Sequence, residues 1–504
     1  MKLDEDLLGI QEVRSALREA KRAQKLLEQM SQTQIDGIVA RMAQAAEAEA
    51  ERLAALAVEE TGFGLTADKK AKNLFVARDV YNAIKDMKTV GIIRKSESGQ
   101  VWEIAQPMGV VAAIIPSTNP TSTVIFKCLI ALKARNAIVI SPHPSALKCS
   151  AESSALMRAA AEEAGAPPGI IHCLSHSSIE ASNELMKHKL TDIILATGGT
   201  GMVKAAYGSG KPAYGVGPGN VPVYIHRSAN VKQAVSRIIQ SKTFDHGTIC
   251  ASEQALVVDE TIKPQVIEEL RIQGAYFLNE GEKQQVASVL AIGKGMNPKV
   301  VGRSPQAIAA LSGIAIPGTT RVIIAEEISV GHEYPFSVEK LCPVLAFYTV
   351  KDWQEGCRRC IELLEQGGLG HTLGIHCEDS LVIEAFGLEK PASRIVVNAG
   401  TTFGGIGATT ALFPSMTLGC GSFGGNITSD NIGPQHLLNT KRVAFGVREM
   451  PAAPGPELQP AEERVAEAIA GNGGFNRQGI SREEVTRIVR KVLAEMENRE
   501  GGML

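Results

Sequence analysis

Residues 110–140 read VVAAIIPSTNPTSTVIFKCLIALKARNAIVI, and this stretch decides the fold. Residues 110–115 and 137–140 are short apolar runs, typical of strands that are buried on both faces. Residues 121–134, between them, have the length and composition of a helix. A strand, a helix and a second strand in this order predict a βαβ unit. The sequence therefore predicts an α/β fold with a parallel, doubly wound sheet.

The same alternation continues beyond this unit. A helix over 145–164 and strands over 170–173, 192–195 and 221–225 extend the predicted sheet. The carboxyl ends of parallel strands meet at one edge, where sheets of this kind bind nucleotides. We therefore expect a nucleotide crevice at that edge.

The whole chain divides into four predicted segments. Residues 10–88 show helical periodicity, and a polar turn at 96–99 predicts a β-hairpin. The predicted segments are a cofactor-binding domain over 1–227 with a hairpin near 90–106, a catalytic α/β domain over 228–433, a last strand within 434–450, and a tail over 451–504. The Gly-rich stretch 404–433 is expected to be an ordered loop near a ligand.

Composition excludes several classes of function. The chain has 504 residues, 44% hydrophobic and 21% charged, with a net charge of −2, which gives no electrostatic case for nucleic acid or an anionic membrane. Nine cysteines, scattered and odd in number, favour a reducing cytoplasm over a disulfide framework. The N-terminus MKLDEDLL lacks the apolar core of a signal peptide, and no apolar run is long enough for a membrane span. Cys357 and Cys360 have CxxC spacing without a second ligand pair, so we expect structural cysteines and no metal.

Residues 244–254 read FDHGTICASEQ and place Cys250 after a glycine turn, among small and polar residues. Most cysteines are small buried hydrophobes in apolar segments, and this one is not in such a segment. A thiolate, rather than a thiol, attacks carbonyl carbons. We therefore expect this loop to present Cys250 as an exposed, reactive thiolate.

The Cys250 loop resembles the nucleophile loop of the aldehyde dehydrogenase superfamily, and more narrowly its CoA-acylating branch of acetaldehyde and propionaldehyde dehydrogenases. The resemblance covers about residues 1–447 and includes four further segments in the same order. They are IIPSTNPT at 114–121, TGGTGMVKA at 197–205, GVGPGNVP at 215–222 and PSMTLGCGSFGGNITSDNIGPQHLLN at 414–439. The resemblance implies the aldehyde dehydrogenase fold and a thioester on Cys250 after hydride transfer to a nicotinamide. It also implies dimers or tetramers in which the last strand pairs across subunits with the hairpin.

The oxyanion formed during this reaction needs fixed hydrogen-bond donors, each worth roughly 3 kcal/mol in comparable sites. The backbone N–H of Cys250 is one candidate. The resemblance places the family's catalytic asparagine at Thr118, and Asn119 lies one position later. We favour Asn119 because a carboxamide is the better donor, with Thr118 as the alternative. Asn119 could instead only shape an Asn-Pro turn.

Hydrolytic members of the family carry a glutamate that deprotonates the attacking water. The matching segment here, 216–222, has no carboxylate. Without a base, water is a poor nucleophile at neutral pH, whereas the thiol of CoA ionises more readily. The missing glutamate therefore favours acyl transfer to CoA. A base recruited from elsewhere, with His246 nearest in sequence, is the alternative.

The resemblance also implies the cofactor contacts. Thr197, Gly198 and Thr200 lie in a Gly-rich turn between a strand and a helix, where backbone N–H groups could face a pyrophosphate, although a plain strand–helix turn has the same pattern. Glu339 matches the carboxylate that holds the nicotinamide ribose, although on composition alone it is an ordinary solvated glutamate. Further predicted contacts are Ser117, Gly217 and Leu341.

At the adenine end, residues 141–144 read SPHP where hydrolytic relatives carry Lys-Pro-Ser-Glu. The lysine and glutamate that grip the ribose are absent, which leaves NAD or NADP open and suits a pocket that also admits CoA. Pro142 and His143 are the predicted contacts. His143 could equally cap the turn between its two flanking prolines.

These observations predict an enzyme that converts a short-chain aldehyde, NAD+ and CoA to acyl-CoA and NADH. The sequence leaves the chain length of the aldehyde undetermined. Two rivals are a hydrolytic aldehyde dehydrogenase that releases a carboxylate and a non-enzymatic scaffold on the same fold. The intact Cys250 loop argues against the scaffold, and the absent glutamate argues against hydrolysis.

The tail carries a separate signal. Residues 451–460 read PAAPGPELQP, a linker, followed by a short predicted helix near 461–470. Ser481 with Glu484 forms a capping box, and Ile480 with Val485 a hydrophobic staple, for a helix over about 482–497 with one continuous apolar face. This face could pack on the enzyme's own body. The tail resembles the encapsulation peptides that bind the shell proteins of bacterial microcompartments, which implies that partner and that location within the cytoplasm.

Overall fold

The computed structural model describes residues 4–292, 295–450, 463 and 481–500. Its N-terminal part is helical, as predicted. The helices are Glu5–Leu27, Gln32–Ala48, Ala50–Thr61, Thr66–Leu74 and Tyr81–Ile84, with a π-helical turn at Phe75–Val80. A reciprocal capping box of Ser31 and Gln34 begins the second helix, and Gly62, at φ 67°, ends the third in the left-handed region that glycine favours.

The predicted hairpin is present as strands Gly91–Lys95 and Val101–Pro107. The last strand, Leu438–Ala444, joins them in a three-stranded sheet within the same chain. The expectation that this strand pairs with the hairpin across subunits is therefore wrong. The reason is local: Asn136 Nδ2 donates to the carbonyl of Leu437 at 2.9 Å, which holds the start of the strand beside its own chain.

A five-stranded parallel sheet confirms the predicted βαβ pattern. Its strands, in spatial order, are Ile171–Cys173, Ala137–Ser141, Val110–Ile114, Ile193–Thr197 and Ala213–Val216. The connecting helices are Pro120–Lys133, Leu147–Glu163 after a 3₁₀ turn at Pro144–Ala146, Ile179–Lys187 and Thr200–Tyr207. Every residue of Pro120–Lys133 is buried, because this helix packs between the sheet and the N-terminal helices. The helix is largely apolar along its whole length because all of its faces are buried.

The predicted strand 221–225 exists but belongs to a second sheet, so its assignment to the first sheet is wrong. Val221–Ile225 pairs with Glu253–Asp259 and with Gly370–His376. The second sheet has seven parallel strands in the order Ala275–Phe277, Val322–Glu326, Val344–Val350, Glu253–Asp259, Val221–Ile225, Gly370–His376 and Ala392–Val397. The apolar composition of a strand predicts that the strand is buried, but it does not predict to which sheet the strand belongs.

Helices and short turns connect this second sheet. The helices are Val231–Thr243, Lys263–Ile272, Glu280–Leu290, Pro305–Ser312, Trp353–Gln366, Ser380–Glu389 and Thr401–Gly405. The 3₁₀ turns are Phe244–Gly247, Glu260–Ile262, Pro335–Ser337, Ser422–Gly424 and Pro434–Leu437, and Ala291–Ile292 pairs with Gly295–Met296. The Gly-rich stretch 404–433 is ordered by internal hydrogen bonds, including Gly419 N–H to Asp430 at 2.8 Å.

The carboxyl edge of the five-stranded sheet and the amino edge of the seven-stranded sheet meet at one junction. Segments 115–119 and 142–143 follow the carboxyl ends of strands in the five-stranded sheet. The Cys250 turn and His371 lie at the amino ends of strands in the seven-stranded sheet. Asn119 Nδ2 donates to the carbonyl of Thr248 at 3.1 Å across this junction. The fold therefore positions the predicted nucleophile against the predicted nucleotide edge.

Residues 444–504 separate as a second unit. Within it, Arg482–Glu500 is helical, and the capping box is confirmed: the backbone N–H of Glu484 donates to Ser481 Oγ at 3.2 Å and that of Ser481 to Glu484 Oε2 at 3.1 Å. Ile480, the linker at 451–460 and the predicted helix near 461–470, apart from residue 463, lie outside the described residues. Within the described part of the chain, no helix is both long and apolar enough to cross a bilayer.

Candidate active site

The buried carboxylate of Asp245 holds the Cys250 loop in place. Asp245 and His246 have φ of 50° and 51°, in the left-handed region, which turns the chain sharply after helix Val231–Thr243. Asp245 is fully buried and accepts hydrogen bonds from Leu65 N–H at 2.8 Å and Thr248 Oγ1 at 2.7 Å. It also forms ion pairs with two lysines of the N-terminal helices. This network explains how a turn of unfavourable backbone geometry is maintained.

Cys250 faces a histidine that the sequence analysis missed. His371 Nε2 lies 3.2 Å from Cys250 Sγ, and its Nδ1 lies 3.0 Å from Thr372 Oγ1. His371 is fully buried as the second residue of strand Gly370–His376. The available signal was the presence of two histidines in the mostly apolar segment GLGHTLGIH. The Cys–His pair has the geometry of a nucleophile with an adjacent base.

The protonation of this pair differs from the expected exposed thiolate. Cys250 is partly buried, and burial, with the negative charge of Glu339, raises the pKa of its thiol to about 12. Burial, with the nearby guanidinium of Arg394, lowers the pKa of His371 to about 3. The resting pair is therefore a neutral thiol and a neutral imidazole. Cys250 is therefore partly buried and protonated, in contrast to the exposed, reactive thiolate that we expected, because the loop packs against the start of the second sheet.

Arg394 is a second residue that the sequence did not reveal. It is buried, and its Nη2 donates to the carbonyl of His371 at 2.8 Å while its Nη1 donates to that of Ser429 at 3.1 Å. Among the described residues, no carboxylate lies within ion-pair distance of its guanidinium. Its positive charge opposes the rise in the pKa of Cys250, so it favours a thiolate during reaction.

Both candidate oxyanion donors lie at this junction. Asn119 precedes helix Pro120–Lys133, and its Nδ2 donates to the carbonyl of Thr248, two residues before Cys250. The side chain of Thr118 accepts a weaker hydrogen bond from Asn119 Nδ2 at 3.3 Å. The carboxamide therefore contacts the nucleophile loop, whereas the hydroxyl contacts the carboxamide. This arrangement supports Asn119 over Thr118, and its role remains a prediction.

The predicted pyrophosphate turn follows a strand and begins a helix, as expected. Thr197 ends strand Ile193–Thr197, and Thr200 begins helix Thr200–Tyr207. Thr197 Oγ1 is buried and has no hydrogen-bond partner among the described residues. The backbone N–H of Gly198 donates to the carbonyl of Val216 at 3.3 Å. Val216 ends strand Ala213–Val216, and Gly217 follows it directly. An orphaned buried hydroxyl at the carboxyl edge fits a polar ligand such as NAD.

Glu339 is partly buried rather than an ordinary solvated residue. Its Oε1 accepts a hydrogen bond from the backbone N–H of Gly219 at 2.8 Å, and burial raises the pKa of its carboxyl to about 7. Leu341 has φ of 44°, and its carbonyl accepts from Gly302 N–H at 2.9 Å. Both residues therefore lie on a constrained segment, and the ribose contact stays a prediction.

At the adenine end, His143 caps its own turn: its Nδ1 accepts from the backbone N–H of Ser145 at 3.1 Å. That contact supports the capping alternative. Pro142 is buried and its carbonyl accepts from Ser177 Oγ, while Ser117 is partly buried beside the nucleophile junction. Glu60 places a carboxylate at this end that the sequence did not suggest. It accepts hydrogen bonds from backbone N–H groups at the start of helix Leu147–Glu163.

The remaining candidates lie apart from this chemistry. His246 is partly buried, and it is His371, not His246, that the structure brings within hydrogen-bond distance of Cys250 Sγ. Cys357 and Cys360 are buried in helix Trp353–Gln366, where Cys357 contacts Glu389 at 3.0 Å and Lys390. The described residues contain no group of three or more His, Cys, Asp or Glu arranged to hold a metal ion.

Comparison with known proteins places this geometry in a family. The model of the aldehyde dehydrogenase family matches residues 7–283. The chain is 38% identical over 438 residues to a succinate-semialdehyde dehydrogenase (acetylating) of Clostridium kluyveri, covering 87% of this chain and 96% of the relative. The chain belongs to the aldehyde dehydrogenase family. The predicted family and fold are therefore confirmed.

Other relatives are closer in sequence but longer. An aldehyde-alcohol dehydrogenase of Clostridium acetobutylicum is 46% identical over 440 residues, covering 86% of this chain and 51% of the relative. The chain thus spans about half the length of the aldehyde-alcohol dehydrogenases that it matches.

Solved structures show the same fold. An acetylating aldehyde dehydrogenase from Geobacillus thermoglucosidasius is 67% identical with a TM-score of 0.88, covering 90% of this chain and 100% of that chain. A propionaldehyde dehydrogenase from the Clostridium phytofermentans fucose utilisation bacterial microcompartment is 27% identical with a TM-score of 0.78, covering 86% and 97%. These matches support the resemblance to the CoA-acylating branch.

Proposed function

We propose that this protein is a CoA-acylating aldehyde dehydrogenase that converts a short-chain aldehyde, NAD+ and CoA to acyl-CoA and NADH. One observation carries the proposal: Cys250 Sγ lies 3.2 Å from the neutral imidazole of His371 at the edge that faces the predicted nucleotide site. The names of the similar acetylating and propionaldehyde dehydrogenases support it. Acetaldehyde and propionaldehyde are the substrates we propose.

In the first half-reaction the thiol of Cys250 adds to the aldehyde carbon, and His371 accepts the thiol proton. The backbone N–H of Cys250 and Asn119 Nδ2 are the proposed donors to the oxygen of the thiohemiacetal. NAD+, when bound, supplies the acceptor for the hydride that leaves the substrate carbon. Glu339 is the proposed holder of the nicotinamide ribose. The product on the protein is a thioester with Cys250.

In the second half-reaction the thiol of CoA attacks this thioester, and the Cys250 thiolate leaves. Before this step His371 releases the thiol proton of Cys250 to solvent, and it then accepts the CoA proton and returns it to Cys250. A free alkyl thiol has a pKa near 8.5, whereas that of water is 15.7, so a weak base of lowered pKa deprotonates a thiol far more readily than water. The buried His371, together with the absence of a carboxylate in 216–222, therefore favours acyl transfer over hydrolysis.

Product analysis tests this function directly. The purified protein is incubated with NAD+, with acetaldehyde or propionaldehyde, and with or without CoA. Acyl-CoA formed in equal amount with NADH supports the proposal, and free carboxylate formed at a comparable rate without CoA supports the hydrolytic rival instead. No NADH with any aldehyde of a chain-length series would support the scaffold. The same series, repeated with NADP+, determines the coenzyme.

We also propose that the tail targets the enzyme to a microcompartment shell. The described helix exposes apolar side chains, with Ile488 and Val492 55% and 49% accessible, so that it has surface for a partner. Its charges are mixed, which suits a protein partner better than an anionic membrane. Residues 478–504 fused to a fluorescent protein should form puncta in cells that make the matching shell. A diffuse signal there would overturn the targeting, and self-association of the fusion would then be the better interpretation.

We further propose a homodimer or homotetramer assembled through the three-stranded sheet. Ile92 and Val443 on this sheet are 38% and 39% accessible, so it retains apolar surface. Ile92→Lys should shift the molar mass measured by light scattering toward the monomer, and an unchanged mass would exclude this surface.

A further inference from the structure

Two buried lysines contact residues of the nucleophile loop. Lys69 and Lys72, on helix Thr66–Leu74, are only 2% and 3% accessible. Both bind the same oxygen of buried Asp245, with Lys69 Nζ at 2.9 Å and Lys72 also in contact. Burying two ammonium groups is costly unless each is paired. Their presence at this position therefore calls for a function beyond packing.

The two lysines differ in their other contacts. Lys72 Nζ donates to Asn119 Oδ1 at 2.6 Å and to Thr248 Oγ1 at 3.1 Å. Lys69 Nζ instead donates to the backbone carbonyl of Thr118 at 2.9 Å. Lys72 thus contacts the side chain of the candidate oxyanion donor, whereas Lys69 contacts only the backbone beside it.

The contact with Lys72 determines how the carboxamide is oriented. An ammonium group has donors only, so the atom of Asn119 that faces it must be the oxygen. The nitrogen of the carboxamide is then directed to the nucleophile loop, where it donates to the carbonyl of Thr248. A rotated carboxamide would put its own N–H groups against the ammonium and its oxygen against a carbonyl. Lys72 therefore disfavours the rotated orientation of the carboxamide.

We propose that Lys72 is a positioning residue for acylation: it orients and polarises the carboxamide of Asn119 so that Nδ2 exchanges its 3.3 Å hydrogen bond to Thr118 Oγ1 for one to the oxyanion beside Cys250. The inference rests on the proposed function of the Cys250 site. Asp245 maintains the arrangement, because its carboxylate opposes the burial that lowers the pKa of Lys72 to about 8. A charged partner on Oδ1 strengthens the N–H groups of the same amide as donors.

The test is a comparison of Lys72→Met with Lys69→Met, in the wild-type protein and in an Asn119→Ala background. Lys69→Met is the matched control, since it removes an equally buried ammonium from the same carboxylate but leaves the contact with Asn119. The measured quantity is the rate of the NADH burst without CoA, which reports acylation alone. One oxyanion donor is worth about 10²–10³ in rate.

Lys72→Met should slow the burst about 10- to 100-fold in the wild-type background and less than about threefold where Asn119 is already alanine. Lys69→Met should slow it less than about threefold. Alkylation of Cys250 by iodoacetamide forms no oxyanion, so Lys72→Met should change its rate little. Equal effects in both backgrounds, or an equal loss in Lys69→Met, would overturn the proposal.

A folding control separates positioning from structure. Lys72→Gln retains an N–H donor for Asn119 Oδ1 without the charge, and should recover part of the burst rate. If Lys72→Met unfolds, Lys72→Gln with the same background comparison decides: independence from Asn119 refutes the proposal. Absence of a burst in the wild type itself would refute the proposed function and not the role of Lys72 alone.

Discussion

Gly219 offers the sharpest perturbation of the nucleophile. A Cβ atom at this position would lie 2.2 Å from the carbonyl oxygen of Cys250 and 3.2 Å from Cγ of His371. Ordinary contact begins at 3.4 Å, so Gly219→Ala must displace the Cys250 backbone or its own segment by about 1 Å. The neighbouring ring of His371 limits the direction in which the chain can move.

A displacement of about 1 Å at a reacting group can reduce the rate about 100-fold. We therefore expect Gly219→Ala to slow both the NADH burst and the alkylation of Cys250 by about that factor, with a loss of unfolding free energy of about 1–3 kcal/mol from overpacking. Stopped-flow absorbance and urea denaturation measure the two effects. Gly387→Ala is the control, because nothing lies within 4 Å of the added methyl group in helix Ser380–Glu389. A burst within threefold of wild type in Gly219→Ala would refute the close approach of these segments.

Four further variants test the Cys–His pair. Cys250→Ala should abolish NADH formation without lowering the melting temperature, whereas Cys420→Ala should retain most activity; turnover in Cys250→Ala would require another nucleophile. Burial lowers the pKa of His371 to about 3, so this residue takes up a proton on unfolding at any pH below about 6.5. The free energy of unfolding therefore decreases as the pH is lowered. Between pH 7 and pH 5, urea titrations should show a loss about 2 kcal/mol larger in wild type than in His371→Asn, and equal losses would contradict a neutral buried imidazole. Arg394→Met removes the charge that favours the thiolate, so the apparent pKa for iodoacetamide alkylation of Cys250 should rise; an unchanged pH profile would exclude that electrostatic effect.

The sequence predicted the fold well where periodicity and burial coincide. Helix Pro120–Lys133 and the strands around it were predicted within a residue or two, because continuous apolar runs have few alternative structures. The strand Val221–Ile225 was predicted but placed in the wrong sheet, since partner choice depends on contacts far along the chain. The last strand was paired across subunits for the same reason, although Asn136 holds it within its own chain.

The candidate site was predictable only where a motif carried it. Cys250 and Asn119 lie in recognisable segments, and the structure brings them to one junction. His371 and Arg394 lie far away in sequence, in mostly apolar strands, where an occasional polar residue resembles an ordinary core position. The protonation state of Cys250 was predicted wrongly, because the burial of a loop is a property of the sheets around it.

The most direct test of the central claim is the stoichiometry of NADH formation without CoA. The account predicts a burst of about one NADH per Cys250, then arrest, with a mass increase equal to one acyl group on the peptide that contains Cys250. Addition of CoA should release the acyl group as acyl-CoA and restore steady turnover. Multiple turnovers to free carboxylate at a comparable rate without any thiol would contradict acyl transfer from a stable Cys250 thioester.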